Sequence, residues 1–214
     1  MSSDTGMSTI NEARRAVADA GRRMTADGLV TGTAGNVSVR VGDLVAVSPS
    51  GMDYAAIGAD DVCVVDMAGT RVDGPHRPSS ETPLHLAVYH TTDALAVVHH
   101  HGLHSTAVSL VQQTLPAVHY YITRLGGAPR VAPYATYGTP ELAASVEAAL
   151  ADRTAALMQN HGAVAYGRNL DEAYDRAQLI EWLAELYTTA APLGTVRILT
   201  DEELAAVITR REQA

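Results

Sequence analysis

The sequence contains no lysine: all 15 of its basic residues are arginine. A Schiff base to a carbonyl substrate needs a lysine amine, so imine-forming lyase chemistry is excluded. The phosphate loop that relies on a lysine to reach terminal phosphates is excluded with it. Phenylalanine is absent as well, which reads as compositional bias beside so much alanine, valine and arginine. Cys63 is the only cysteine, so no intrachain disulfide can form. It sits in the apolar run from Val62 to Val65 and reads as a buried small hydrophobe rather than a nucleophile. No apolar run approaches the roughly 20 residues that span a bilayer. The opening residues M-S-S-D-T-G-M-S-T-I lack the charged and apolar regions of a signal peptide. A cytoplasmic protein without a membrane partner is therefore expected. The net charge of −9 also argues against nucleic acid, whose non-specific binding needs a basic surface.

What is present fits one globular domain. The 214 residues are 47% hydrophobic and 18% charged, enough to bury a sizeable core. A single domain over residues 1–214 is expected, with a short flexible N-terminus to about residue 8 and a short tail from about residue 201. Thr9 and Glu12 form a capping box ahead of apolar residues at helical spacing, and Gly28 ends that helix. Asn36 to Arg40 and Leu44 to Val47 read as a hairpin around Gly42-Asp43. A second turn at Ala68-Gly69 joins Val62–Asp66 to Thr70–Val72. Helices are expected over Ser80–Tyr89, Ser105–Val111 and Asp171–Thr188, with another opened by Thr139-Pro140-Glu141 and running to Leu150. Buried strands are expected at Ala94–Val98 and Ala155–Met158, and Thr200 and Glu203 cap a last short helix. Helices and strands that alternate in this way predict an α/β fold, a mixed sheet covered by helices.

The strongest local signal is Val97-Val98-His99-His100-His101-Gly102. In a strand, residues two apart share a face, so His99 and His101 project together and His100 points away. Imidazole pairs of this kind suit a transition metal. A histidine-rich turn with ordinary polar contacts is the competing reading. A second apolar strand, Ala155 to Met158, also runs into a histidine and a glycine, His161-Gly162. Two such strand ends can bring their histidines to one sheet edge. Glu81 follows Pro78-Ser79-Ser80 and on local pattern alone reads as a helix N-terminal carboxylate favoured by the dipole. Three loops of small residues, Gly32–Asn36, Ser48–Gly51 and Pro78–Ser80, can offer backbone N–H groups and hydroxyls to an anion without a cationic side chain. Each alone reads as an ordinary turn.

Six stretches combine these features: G-T-A-G-N-V-S-V-R at Gly32 to Arg40, P-S-S-E at Pro78 to Glu81, V-V-H-H-H-G-L-H-S-T-A-V-S at Val97 to Ser109, P-A-V-H-Y at Pro116 to Tyr120, A-P-Y-A-T-Y-G-T at Ala132 to Thr139, and Q-N-H-G at Gln159 to Gly162. In this order and at these spacings the chain resembles the class II aldolase/adducin family, from the first helix to Tyr187 and somewhat beyond. The resemblance implies a three-layer α/β domain around a largely antiparallel sheet. It implies one Zn²⁺ per subunit on Glu81, His99, His101 and His161. Glu81 would also be the acid/base that leaves the metal when substrate binds. Gly35, Asn36, Ser50, Gly51, Ser79 and Ser80 would hold a substrate phosphate, and Tyr120 would assist at the aldehyde end. The implied reaction is reversible cleavage of a ketose 1-phosphate of the L-fuculose 1-phosphate type to dihydroxyacetone phosphate and a hydroxyaldehyde such as L-lactaldehyde, through a metal-stabilised enediolate. A homotetramer with sites between subunits is implied too.

The sequence also departs from the family pattern. Ser50 stands for a threonine, Tyr137 for an aromatic without a hydroxyl, and residues 201–214 lack the tyrosine that reaches a neighbouring site. Relaxed discrimination among aldehydes is expected from that last difference. The related pentulose 5-phosphate 4-epimerase branch resembles an aspartate where this chain has Glu81, which favours the aldolase. Methylthioribulose-1-phosphate dehydratase and sugar-acid phosphate decarboxylase branches are further alternatives. An adducin-like scaffold without catalysis ranks below them.

Overall fold

A computed structural model describes residues 9–213; the expected flexible N-terminus lies outside them. Helix α1 (Ile10–Ala26) opens as its capping box predicts. The Thr9 hydroxyl accepts from Glu12 N at 3.2 Å, and the Glu12 carboxylate accepts from Thr9 N at 3.0 Å. Its apolar positions, Ala13, Val17, Ala20 and Met24, all turn inward.

Eight strands form one sheet: β1 (Asn36–Val41), β2 (Leu44–Val47), β3 (Cys63–Asp66), β4 (Arg71–Asp73), β5 (Ala96–His100), β6 (Val131–Ala132), β7 (Ala155–Met158) and β8 (Gly162–Gly167). Their order is β4-β3-β2-β1-β5-β8-β7-β6, antiparallel throughout except between β6 and β7. The remaining helices are α2 (Thr82–Thr91), α3 (Leu103–Val111), α4 (Pro140–Ala149), α5 (Leu170–Ala190) and α6 (Asp201–Glu212).

Alternation along the strands splits the core into two. Val37, Val39, Ala46, Ala96 and Val98 pack with Ala13 and Val17 of α1 and Ala177 and Ile180 of α5. Val45, Val47, Cys63, Val97 and Val164 pack with Leu84 and Val88 of α2 and Leu142 and Val146 of α4. The sheet is therefore the middle of three layers, because each of its faces is apolar and needs a cover. Cys63 is buried as expected, its thiol donating to the His76 carbonyl at 3.4 Å.

Strand β8 is the main addition to what the sequence predicts. Gly-Ala-Val-Ala-Tyr-Gly is small and buried on both faces, so it shows no alternation to read. It inserts between β5 and β7. The two histidine-bearing segments therefore meet at the ends of the central strands across a β7–β8 turn, not at a lateral edge of the sheet. The strand expected at Ala94–Val98 runs further, to His100, so the first histidines lie inside it. Tyr120–Leu125 forms a 3₁₀ turn. No described helix is long and apolar enough to cross a membrane.

Candidate metal centre

Strand β5 sends Val97 toward the α2 layer and Val98 toward α5, and the period of two carries His99 and His100 after them. His100 is fully buried and its Nδ1 accepts from Gly102 N at 3.1 Å, so it braces the turn after the strand. His99 is fully buried on the opposite face, and its Nδ1–H donates to the Ala163 carbonyl of β8 at 2.9 Å. That bond leaves Nε2 as the nitrogen free to coordinate. It lies 3.0 Å from His101 Nε2 and 3.1 Å from Glu81 Oε2. His161, in the β7–β8 turn, places Nε2 3.3 Å from Glu81 Oε1. The three imidazole centroids are each 4.8 Å apart, with the rings edge-on to one another.

All four donor atoms fall within 4.8 Å of each other. Two observations show that this arrangement suits a cation. Glu81 Oε1 is buried and accepts no hydrogen bond from the described residues, which is costly for a carboxylate oxygen. Imidazole nitrogens also converge nearly in contact, which a shared positive centre resolves. Three imidazoles and a carboxylate form a donor set suited to a first-row divalent metal.

Burial and the nearby His99 push His101 down to about 3 and His161 down to about 4. Both rings are therefore neutral, with lone pairs available, near pH 7. Burial alone would lower His99, but the Glu81 carboxylate outweighs it and raises the ring. Burial would likewise raise Glu81, but His99, His161 and the Asn36 amide hold it well below the usual carboxylate range. The opposite shifts of the two groups both favour a proton held on His99 against the Glu81 carboxylate. A metal ligand must be deprotonated, so loading should release the His99 proton wherever that ring is protonated, up to one per metal. Apparent affinity should rise about tenfold per pH unit below the His99 pKa and level off above it. Calorimetry in buffers of different ionisation enthalpy measures the release; no release would remove the proton from His99.

Glu81, His101 and His161 line a cavity of about 430 Å³ together with Gly35, Asn36, Ser50, Gly51, Ser79 and Ser80. The three small-residue loops therefore converge on one space. Ser50 N donates to the Arg77 carbonyl at 2.9 Å and Ser79 N to the Ser48 carbonyl at 3.0 Å, which zips two of them together. The Tyr54 hydroxyl donates to the Gly35 carbonyl at 2.7 Å and ties in the third. Gly35 and Gly51 have φ of +75° and +69°, a left-handed backbone that glycine adopts at no steric cost. None of the described residues lining the cavity is arginine.

Tyr120 stands apart. It is 45% exposed and lines a different cavity, with Val207 and Arg210 of α6. The structure also brings in residues that pattern reading passes over. Asn160 and Tyr134 line the site. Asn160 holds φ +57° before His161, a conformation that asparagine tolerates better than most residues. Beneath Asn36 lie His85, Ser38 and Tyr89, all buried. Their signal was the spacing Glu81, His85, Tyr89, one helical face with a polar residue at every turn.

Residues 15–188 match the family model described as class II aldolase and adducin N-terminal domain. The chain belongs to the class II aldolase and adducin family. L-Fuculose phosphate aldolase of Escherichia coli K12 is 43% identical over 201 residues, covering 92% of this chain and 93% of the relative. The 5-methylthioribulose-1-phosphate/5-deoxyribulose-1-phosphate aldolase of Rhodospirillum rubrum is 38% identical, covering 91% and 89%. Among solved structures, an L-fuculose 1-phosphate aldolase superposes with a TM-score of 0.90 at 35% identity, covering 95% and 98%. These likenesses agree with the eight-stranded three-layer fold and make the chain a lyase of the class II aldolase type, a metal-dependent class. The Glu81–His99–His101–His161 cluster is where a class II aldolase with this chain's side chains could hold its metal.

Proposed function

We propose that this aldolase binds one Zn²⁺ per subunit and cleaves a ketose 1-phosphate of the L-fuculose 1-phosphate type to dihydroxyacetone phosphate and a hydroxyaldehyde such as L-lactaldehyde. The observation that carries the reading is the union of two features in one cavity: a buried three-histidine, one-carboxylate cluster, and three converging loops without a cation. Zinc held by Glu81, His99, His101 and His161 would supply Lewis-acid stabilisation of negative charge on a substrate carbonyl oxygen. The loop residues Gly35, Asn36, Ser50, Gly51, Ser79 and Ser80 bind the phosphate through N–H groups and hydroxyls. When the carbon–carbon bond breaks, the hydroxyl on the departing carbon gives up its proton and becomes the aldehyde. Glu81 takes up that proton and delivers it to the carbon left with the electron pair, and in synthesis the transfer runs in reverse.

Tyr120 donates its hydroxyl at the aldehyde end of a neighbouring subunit's site. Its exposure outside its own subunit's pocket supports this, as do Leu103 and Val111 on α3, which are 74% and 73% exposed. A contiguous exposed apolar patch would mark an association surface, and we expect a cytoplasmic homotetramer.

Dihydroxyacetone phosphate release measured across L-fuculose 1-phosphate, 5-deoxyribulose 1-phosphate and L-ribulose 5-phosphate tests the reading. Cleavage of a 1-phosphate, lost with chelator and restored by zinc, is the expected result. Interconversion of the 5-phosphate with no triose phosphate released would assign the chain to the epimerase branch instead.

A further inference from the structure

Helix α2 begins beside Glu81 and carries His85 and Tyr89 one and two turns later. Strand β1 presents Asn36 and Ser38, two residues apart, to that same face. The five side chains form one continuous buried chain of hydrogen bonds. Asn36 Nδ2 donates to Glu81 Oε2 at 3.0 Å. Asn36 Oδ1 meets His85 Nε2. His85 Nδ1 meets Ser38 Oγ at 2.6 Å, and Ser38 Oγ meets the Tyr89 hydroxyl at 2.6 Å.

Donor and acceptor chemistry gives this chain one direction. A carboxylate only accepts, so the Asn36 amide must turn its NH₂ toward Glu81 and its oxygen toward His85. His85 must then carry its proton on Nε2 and offer a lone pair at Nδ1. The Ser38 hydroxyl donates to that lone pair, and the Tyr89 hydroxyl donates to Ser38. His85 is fully buried and absent from the cavity lining, so it touches no substrate.

We propose that His85 is a positioning residue: through the Asn36 amide it ties down Oε2 of Glu81 and leaves Oε1 as the working oxygen. Oε1 accepts no hydrogen bond and faces only His161 Nε2 at 3.3 Å, whereas Oε2 accepts from Asn36 Nδ2, and this chain holds that asymmetry in place. Without His85, nothing opposes rotation of the Asn36 amide, and a rotated amide would set its oxygen against the carboxylate. The proposal rests on the zinc site described above, and its test reads metal affinity rather than turnover, so the identity of the sugar phosphate does not affect it.

Two substitutions with opposite chemistry separate positioning from packing. His85→Leu fills the apolar surroundings but neither donates nor accepts. His85→Gln keeps a donor for Asn36. Zinc affinity, by competition with a chromophoric chelator in the absence of substrate, should fall about tenfold or more in His85→Leu. It should recover to within about threefold in His85→Gln. A packing role predicts the reverse order. Ser38→Ala, further from the metal ligands, should weaken zinc binding about threefold by releasing the His85 tautomer. Wild-type zinc affinity in folded His85→Leu, or in Ser38→Ala should His85→Leu not fold, overturns the proposal. Failure of the parent protein to bind zinc overturns the metal reading and the proposal together.

Discussion

Replacing Glu81 by glutamine is expected to lower kcat by about 10²–10⁴-fold, the range for loss of a positioned acid/base. The substitution keeps shape and length at a buried position, and a glutamine oxygen can still accept from Asn36 Nδ2. The fold should therefore survive, since α2 begins at Thr82 and owes no capping bond to the Glu81 side chain. What is lost is the anion, and with it the group that can carry a proton to and from carbon. Three histidines remain to hold the metal, so zinc content should fall less than turnover does. Steady-state rates beside a circular dichroism spectrum and a metal analysis check all three points. Turnover within about tenfold of the parent would remove Glu81 from the acid/base role.

Gly162→Ala is expected to cost about 3 kcal/mol or more of stability and to empty the metal site. A Cβ at Gly162 would lie 2.2 Å from the His100 carbonyl oxygen and 3.2 Å from His101 Cα. Both are backbone atoms of the β5 end, so no rotamer change relieves the clash and β5 must part from β8. That is the point where one strand supports His99 and the next begins beside His161. Gly58→Ala provides the contrast, because its Cβ would meet only the Asp61 carboxylate at 3.5 Å. Urea unfolding of the two variants should show a large shift for the first and almost none for the second. Equal shifts would refute the steric account.

The parts of this structure that were legible in the sequence are those written in local chemistry. Thr139 accepts from Leu142 N and Thr200 from Glu203 N, so these helix starts are set by residues three apart. His99 and His101 converge as a period of two predicts, although His101 stands one residue beyond the end of β5. Strand β8 was not legible, since small residues buried on both faces carry no period. The meeting of Glu81 with His99 was not legible either. It depends on Asn36 lying opposite His99 across β1 and β5, and on a bridge that sets Pro78 against Pro49. No run of neighbouring residues encodes such a pairing, so Glu81 entered the ligand set through family resemblance. The chain beneath it was half visible. Helical spacing aligns Glu81, His85 and Tyr89, but their partners Asn36 and Ser38 lie more than 40 residues upstream.

The cavity's lack of arginine in a chain without lysine has one further consequence. Loop N–H groups and hydroxyls are short-range dipoles: they recognise a phosphate on contact and exert little pull on it from a distance. The molecule as a whole, at −9, repels an anionic substrate. A bound divalent ion would therefore be the one positive centre in the cavity, drawing the anion in as well as polarising it. Capture and chemistry would then share a single charge, and a protein stripped of its metal would lose its hold on the substrate along with its power to cleave it.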